Sequence, residues 1–466
     1  MQISIRKISE AELHSDYRWD SEYLCFEPYK NPNIPYVPIG TTLLSSQYGL
    51  SLEMNEEGNG LKIYRMNEIS NMMCNRTILK YAPINDEEIS SYRLNDKDVL
   101  FNRTNSQAYV GRTGIFRKFS DEPLVYASYL VRVVPDPDKI TPEYLTTFLN
   151  TKYGVLDLKR RARISINQSN INAEELKRVE IPLISRDLQL LITDAFEKAF
   201  ILVQNSESKF IEAETILLSE LGLSNWQPNH LRIFIKNYTD TKAAGRIDAE
   251  YYQPKYEDII KAIQTYSGGW DTVDNLADLK DKNFNPIDEK KYKYIELSNI
   301  TGNGEIVDCM IEEGKNLPNR ARRKVATGDL IVSSIEGSLS SIAIIEGDYN
   351  DALCSNGFHV IKSKTLNPET LLVLLKSIAG QLQLKKGCSG TILTAINREE
   401  LRKIVLPKIA ESKQSKIQQK VIDSFNTRRQ SKHLLDSARR AVEIAIEQDE
   451  KTAEKWLKNE ITEMQI

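Results

Sequence analysis

NAEELKRVEIPLI, residues 172–184, returns 225 positions later as NREELRKIVLPKI, residues 397–409. Six of the thirteen positions are identical, and four more exchange Lys with Arg or one aliphatic side chain for another. Further matches follow in the same order. YRWDSEY (17–23) corresponds to GRIDAEY (245–251), with Arg18, Asp20, Glu22 and Tyr23 in register with Arg246, Asp248, Glu250 and Tyr251. IYRMNEI (63–69) pairs with YIELSNI (294–300), NDKDVLF (95–101) with ATGDLIV (326–332), and TPEYL from Thr141 with NPETL from Asn367. The offset drifts between 225 and 231, as short loop insertions and deletions produce. The chain therefore reads as two copies of one unit, roughly 1–238 and 239–466. That period is far longer than the ~20–50 residues of a solenoid repeat. A tandem duplication of this kind predicts a pseudo-twofold molecule.

Each copy divides again. Its first part carries short β-type runs (DVLFNRT, LVYASYLVRVV, DLIVSSI, SSIAIIEG), with helices expected at 141–161 and 367–386. After Pro182 and Pro407 the pattern turns helical. Ile192, Phe196, Ala199, Val203, Ser206, Phe210, Ala213 and Leu217 are spaced alternately by four and three residues. Adding 225 gives Ile417, Val421, Ser424, Arg428, Ser431, Leu435, Ala438 and Val442, so the seam recurs with a serine at the same point. Such spacing over four heptads is a coiled-coil signature, and polar seam residues can fix register. Gly222 and Pro228 end the first helix, while the second is expected to run on towards Trp456. Helices of about 35–45 residues are rods of roughly 50–70 Å. The sequence divides as 1–183, 184–238, 239–408 and 409–466: globular, helical, globular, helical. If a twofold relates the copies, the two helices run antiparallel and meet each other; the alternative is that each packs on its own globular part.

The bulk composition excludes more than it assigns. With 466 residues, 62 Lys+Arg against 65 Asp+Glu and a net charge of −3, any nucleic-acid surface must be local. Cys25, Cys74, Cys309, Cys354 and Cys388 are scattered, odd in number and without a C-x-x-C pair, which suits a reducing compartment rather than a disulfide framework or zinc ribbon. The N-terminal stretch lacks the apolar core of a signal peptide, and no apolar run is long enough to span a bilayer, so a cytoplasmic location with no membrane partner is expected. The four histidines (His14, His230, His359, His433) are not paired at helical spacing, and no P-loop or glycine-rich nucleotide fingerprint occurs. PDPDK (135–139) superficially resembles a nuclease carboxylate motif, but it precedes ITPEYL and reads as a turn before a helix. The expectation is a chain that makes and breaks no bonds, without metal or catalytic residues.

Binding residues are easier to nominate. KRRAR (Lys159, Arg160, Arg161, Arg163) precedes Asn167 and Gln168; the same slot of the second copy holds Lys385, Lys386, Ser389 and Thr391. Arg320, Arg322, Arg323 and Lys324 lead into the DLIV strand and Ser334 follows it, while Asn102, Arg103, Asn105 and Arg112 follow DVLF. Lys and Arg suit phosphates, Asn and Gln pair bidentately with adenine, and Arg with guanine. Any single cluster reads first as a solvated charged face. KRRAR and its counterpart around Lys385 and Lys386 gain weight because they occupy the same slot of both copies, and the repeat diverges most at these loops, as two readers of different sequences would show.

Across essentially its whole length the chain resembles the specificity subunit of type I restriction–modification enzymes. The resemblance rests on the duplicated order of globular part then long helix, on RIDAEYY, on DVLFNRT and DLIVSSI, and on ISINQSNINAEELKRVEIP (164–182) and CSGTILTAINREELRKIVLP (388–407). The first copy departs at its start, with RWDSEYL for RIDAEYY. It implies an α+β fold of two tandem mixed α/β target recognition domains, each followed by a long helix of an antiparallel coiled coil. It further implies a non-catalytic reader of a bipartite double-stranded DNA target, with half-sites about one helical turn (~34 Å) or more apart. Two methyltransferase subunits using S-adenosylmethionine would dock on the helices, joined by ATP- and Mg-dependent restriction subunits, and this chain would hold no cofactor. The rival readings are a coiled-coil adaptor without DNA specificity and a nuclease using Asp136 or Asp138.

Overall fold

The computed structural model describes residues 23–24, 27–56, 58–76, 78, 80–165, 168–307, 309–390 and 394–464. They form two compact units. One contains the described residues up to Leu202 together with those from Arg429; the other is Val203–Arg428. The Arg186–Glu220 helix and the Glu411–Glu447 helix, the central and distal helices, each contribute to both.

Both units are built alike, because the same side chains make the same bonds. In the first, strand Leu130–Pro135 lies between Leu43–Tyr48 and Val99–Asn102, antiparallel to both, and Thr113–Ile115 follows. In the second, Phe358–Ser363 lies between Ala277–Leu279 and Leu330–Ser333, and Ile342–Ile344 follows. Each has a matching parallel pair elsewhere, Val125 with Ile63 and Leu353 with Tyr294, and the first also pairs Met73 in parallel with Ile115. Leu100 and Leu130 in one core correspond to Ile331 and Phe358 in the other. Asp98 and Asp329 are both buried and close the turn before their strand by accepting from Asn95 N and Ala326 N. The residues between, Lys97 and Gly328, share a left-handed φ of 71° and 84°.

Each expected helical stretch breaks once. Pro142–Asn150 and Lys152–Arg161 meet at Thr151, and Pro368–Lys376 and Ile378–Lys386 meet at Ser377. Proline at the first position and an N-cap from Thr141 or Asn367 start each pair. Gly154 and Gly380 let the second helix turn tightly against the first: a Cβ there would lie 2.2 Å from Phe148 O and 2.4 Å from Leu374 O. Gln189 and Gln414 then tie the long helices on. Their Oε1 atoms accept from Thr141 N and Asn367 N at 3.0 and 2.8 Å, and their amides donate to Ile184 O and Ile409 O at 3.1 and 2.8 Å.

Within each unit the helical segments run antiparallel. In the first, Ser431 Oγ donates to Ala199 O at 2.8 Å, and Ile192, Phe196, Leu435, Ala438 and Val442 are buried. In the second, Ser424 Oγ donates to Ser206 O at 2.8 Å, Lys209 reaches Thr427 and Lys413 reaches Glu220. Phe210, Ala213, Leu217, Ile417 and Val421 join one hydrophobic core with the 254–264 and 368–386 helices. Both packings expected as alternatives therefore occur together there: the helical segments meet each other and also the globular part. Val203 and Arg428 are half-buried.

The distal helix does not run on to Trp456. It ends at Glu447, and Glu450–Glu463 is a separate helix that folds back, with Glu460 at 3.3 Å from Ser437 Oγ. Asp449 caps the new helix through Thr452 N, and Asn31 Nδ2 donates to Ile446 O at 3.0 Å, satisfying carbonyls that the break exposes. No described helix is long and apolar enough to cross a membrane.

Candidate nucleic-acid interface

In the first unit strand Val99–Asn102 continues as Thr104–Asn105, onto which a hairpin pairs. The hairpin strands, Arg163–Ser165 and Gln168–Asn170, place Arg163 opposite Asn170 and Ser165 opposite Gln168. Arg163, Ile164, Ser165 and Gln168 are exposed, Ile164 by 55%. Asn167 lies outside the described residues.

The neighbouring 106–112 loop is held from below. Gly111 N donates to Asn102 O, Asn102 N to Arg112 O, and Lys159 Nζ to Val110 O at 3.0 Å and to Gln107 O. Burial, with Arg112 adding to it, pulls the Lys159 ammonium down to about 8. Two arginines stack on tyrosines: Arg112 lies 4.1 Å from the Tyr109 ring centre, and Arg103 lies 4.8 Å from that of Tyr48. Arg103 also donates to Ser128 O. Asn105 Oδ1 accepts from Ser106 N, and Asn102 is fully buried.

The KRRAR cluster divides by depth. Arg161 is 4% exposed and bridges Asp157 and Glu175, each at 3.0 Å. Arg160 bonds Asp157 at 2.5 Å and Tyr23 O at 3.0 Å while stacking on the Tyr23 ring. Only Arg163 of the three arginines is presented on the hairpin.

The second unit repeats the plan with other residues. Hairpin strands Cys388–Ser389 and Ala395–Ile396 pair with each other, and Ile396 N donates to Ser334 O at 2.8 Å. Glu336 N donates to Thr394 O, so the loop after strand Leu330–Ser333 and the hairpin form one surface. Thr391 lies outside the described residues, and Ser389 and Lys385 are exposed. Lys386 faces the Tyr251 ring at 5.2 Å, as Arg161 faces Tyr23 at 5.8 Å, and burial pulls its pKa down.

Within RARRK, Ala321–Lys324 forms a strand that spreads its charges. Arg320 is exposed beside Glu296, and the 356–357 turn links it to the hairpin loop: Asn356 N donates to Arg320 O and Ser334 N to Gly357 O. Ser334 Oγ also bonds Gly357 O. Arg322 reaches Asn285, Arg323 reaches Asn283 and Lys324 reaches Asp351, away along the strand.

Sequence reasoning missed Tyr48 and Tyr109, which stack the arginines, and it took Arg246 only as a marker of the repeat. Arg246 lies 4.3 Å from the Tyr251 ring centre and donates to Cys388 O at 3.0 Å, anchoring the hairpin. Its motif, RIDAEYY, was the available signal.

A polar β-ribbon flanked by stacked guanidiniums and short hydroxyl and amide side chains can enter a major groove, which admits a two-stranded ribbon and offers a distinct donor–acceptor pattern for each base pair. No group of three or more metal-ligating side chains occurs among the described residues. Asp136 and Asp138 lie in a turn, where Asp136 Oδ1 accepts from Asp138 N and Asp136 pairs with Lys139.

No family model matches the chain. It is 34% identical over 136 residues to the "Putative type I restriction enzyme MjaX specificity subunit" of Methanocaldococcus jannaschii, covering 29% of this chain and 32% of that one. It is 24% identical over 169 residues to the type I restriction enzyme EcoKI specificity subunit of Escherichia coli, covering 36% and 34%. These matches span about a third of the length of the curated relatives. The S subunit of a type I restriction-modification system from M. genitalium aligns over 92% of this chain and 98% of that one, at 13% identity and a TM-score of 0.34. The chain is thus similar to specificity subunits of type I restriction enzymes.

Proposed function

We propose that this chain is the sequence-reading subunit of a type I restriction–modification complex, each unit reading one half of a bipartite DNA target. The observation that carries the reading is the doubled ribbon. The same framework presents a hairpin and its adjoining loop twice, while the exposed side chains differ: Arg163 and Gln168 in one, Ser389 in the other, with Lys385 exposed on the helix that leads into it. A shared frame with different tips suits two different half-sites.

Arg163, Lys385 and Arg320 would position phosphates, and Gln168, Asn105 and Ser389 are placed to meet base edges. Stacking of Arg103 and Arg112 on tyrosines would hold their forks in fixed planes for bidentate recognition. Bond making belongs to partners: two methyltransferase subunits with S-adenosylmethionine, and restriction subunits with ATP and Mg. Leu190 and Ile201, three helical turns apart on the central helix and each about half exposed, support partner docking on the helices.

Base-modification sequencing of cells carrying the chain and its methyltransferase, compared with a deletion of this chain, tests the proposal. A bipartite methylated-adenine motif that disappears with the deletion supports it. A motif that persists unchanged refutes it.

A further inference from the structure

The hairpin of the second unit is two residue pairs wide. A ribbon that short holds no shape alone, so its anchors decide where it stands. Three have been described: Ser334 O, Glu336 N and Arg246. The fourth is His359. This residue sits on strand Phe358–Ser363, is 8% exposed, and places Nε2 3.0 Å from Ile396 O on the hairpin. Its other nitrogen, Nδ1, lies 2.6 Å from Asp281 Oδ2.

Both contacts are acceptors. A carbonyl oxygen has no proton to give. Burial pushes the Asp281 carboxyl upward, but its bonds to His359 and to Val360 N outweigh that and hold it below the usual carboxylate range, so it is ionised. The ring therefore stands between two acceptors, with Asp281 fixing its plane. Other charged groups lie close by. Arg323, bonded to Asn283, adds positive potential at Asp281, and Lys280 is paired with Asp329 at 2.6 Å. Strand Leu330–Ser333 brings no charge, and burial pushes the nearby Cys354 thiol up, leaving it neutral.

We propose that His359, held by Asp281, is a positioning residue that sets the stance of the second hairpin, so that recognition of the second half-site depends on the chain Asp281–His359–Ile396 O. The proposal rests on the sequence-reading function proposed above. The first unit carries an internal control. Val131 pairs with Phe101 as His359 pairs with Val332, so the corresponding position there has no side chain that can hydrogen-bond a hairpin.

The test uses the full chain complexed with its methyltransferase subunits and duplexes bearing the motif found by modification sequencing. Methylation rates are compared on duplexes altered in one half-site or the other. His359→Phe should lower discrimination at the second half-site roughly tenfold, the loss of one hydrogen bond. Discrimination at the first half-site should not change. His359→Gln, whose amide can still donate to Ile396 O, should recover part of the loss. Asp281→Asn leaves the ring a hydrogen-bonding partner and should keep most of the discrimination. Wild-type discrimination at the second half-site in His359→Phe overturns the proposal, as does His359→Phe failing at both half-sites alike. If wild type discriminates at neither half-site, the sequence-reading function itself fails.

Discussion

Replacing Arg161 with alanine separates fold from reading more sharply than any other single change. The side chain is 4% exposed and bridges Asp157 and Glu175, both nearly as buried. Removing one member of a buried ion pair costs about 3–5 kcal/mol, because the partners remain buried with their charge uncompensated. Here Asp157 keeps Arg160 and Glu175 keeps Arg178 at 2.9 Å, which puts the loss at the low end, about 3 kcal/mol. With a urea dependence of about 2 kcal/mol per molar, the midpoint of unfolding should fall by about 1.5 M. Arg163→Ala, two residues on and exposed, should change stability by less than about 0.5 kcal/mol while weakening DNA binding. Urea titration by circular dichroism and binding of motif duplex by the assembled complex read the two effects. A midpoint shift below about 0.3 M for Arg161→Ala, or an equal shift for Arg163→Ala, would refute the division of the cluster by depth.

The same geometry makes other predictions. Gly154→Ala and Gly380→Ala each drive a Cβ to within 2.4 Å of a carbonyl oxygen, so each should lose more than about 2 kcal/mol, read as a fall in melting temperature. Ser424→Ala removes the bond to Ser206 O and one of the two serine acceptors of Asn303 Nδ2, which keeps Ser206 Oγ at 3.2 Å; a loss of about 1 kcal/mol is expected in chemical denaturation. Burial pushes the Glu447 carboxyl upward, but bonds from Arg440, Lys152 and Tyr153 outweigh it and bring it from the ordinary 4.5 to about 2. Its folded pKa is depressed, so its contribution is complete above about pH 4.5 and lost as pH falls towards 2. Glu447→Gln should flatten the acid limb of the stability curve in that window, and an unchanged limb counts against the network.

The repeat was legible because identical framework residues do identical work in each copy. Asn172 and Asn397 cap short helices, Gln189 and Gln414 lash the long ones, and Asp98 and Asp329 close turns. The helix seam was legible from its spacing alone. The break after Glu447 was not. Helical composition continues through EKTAEKWLKNEI, and the stabilising partner of the broken end is Asn31, more than 400 residues away in sequence. The basic clusters misled in a different way. Lys and Arg look alike in a string, and what buries Arg161 is Asp157 one turn back together with Glu175 on the next helix. Only the first of those was visible as a local spacing. The hairpins were unreadable for a related reason: RIS, QSN and CS carry no β-pattern, and they form strands because Thr104, Asn105, Ser334 and Glu336 offer them an edge.

The central claim is that each unit reads its own half of one target. The direct measurement is base-modification sequencing of cells in which the first unit's reading elements, residues 102–112 and 163–170, are replaced by those of a relative with a different target. The account predicts a new methylated motif whose one half changes and whose other half and spacer stay as in the parent. A motif altered in both halves, or unchanged in both, contradicts it.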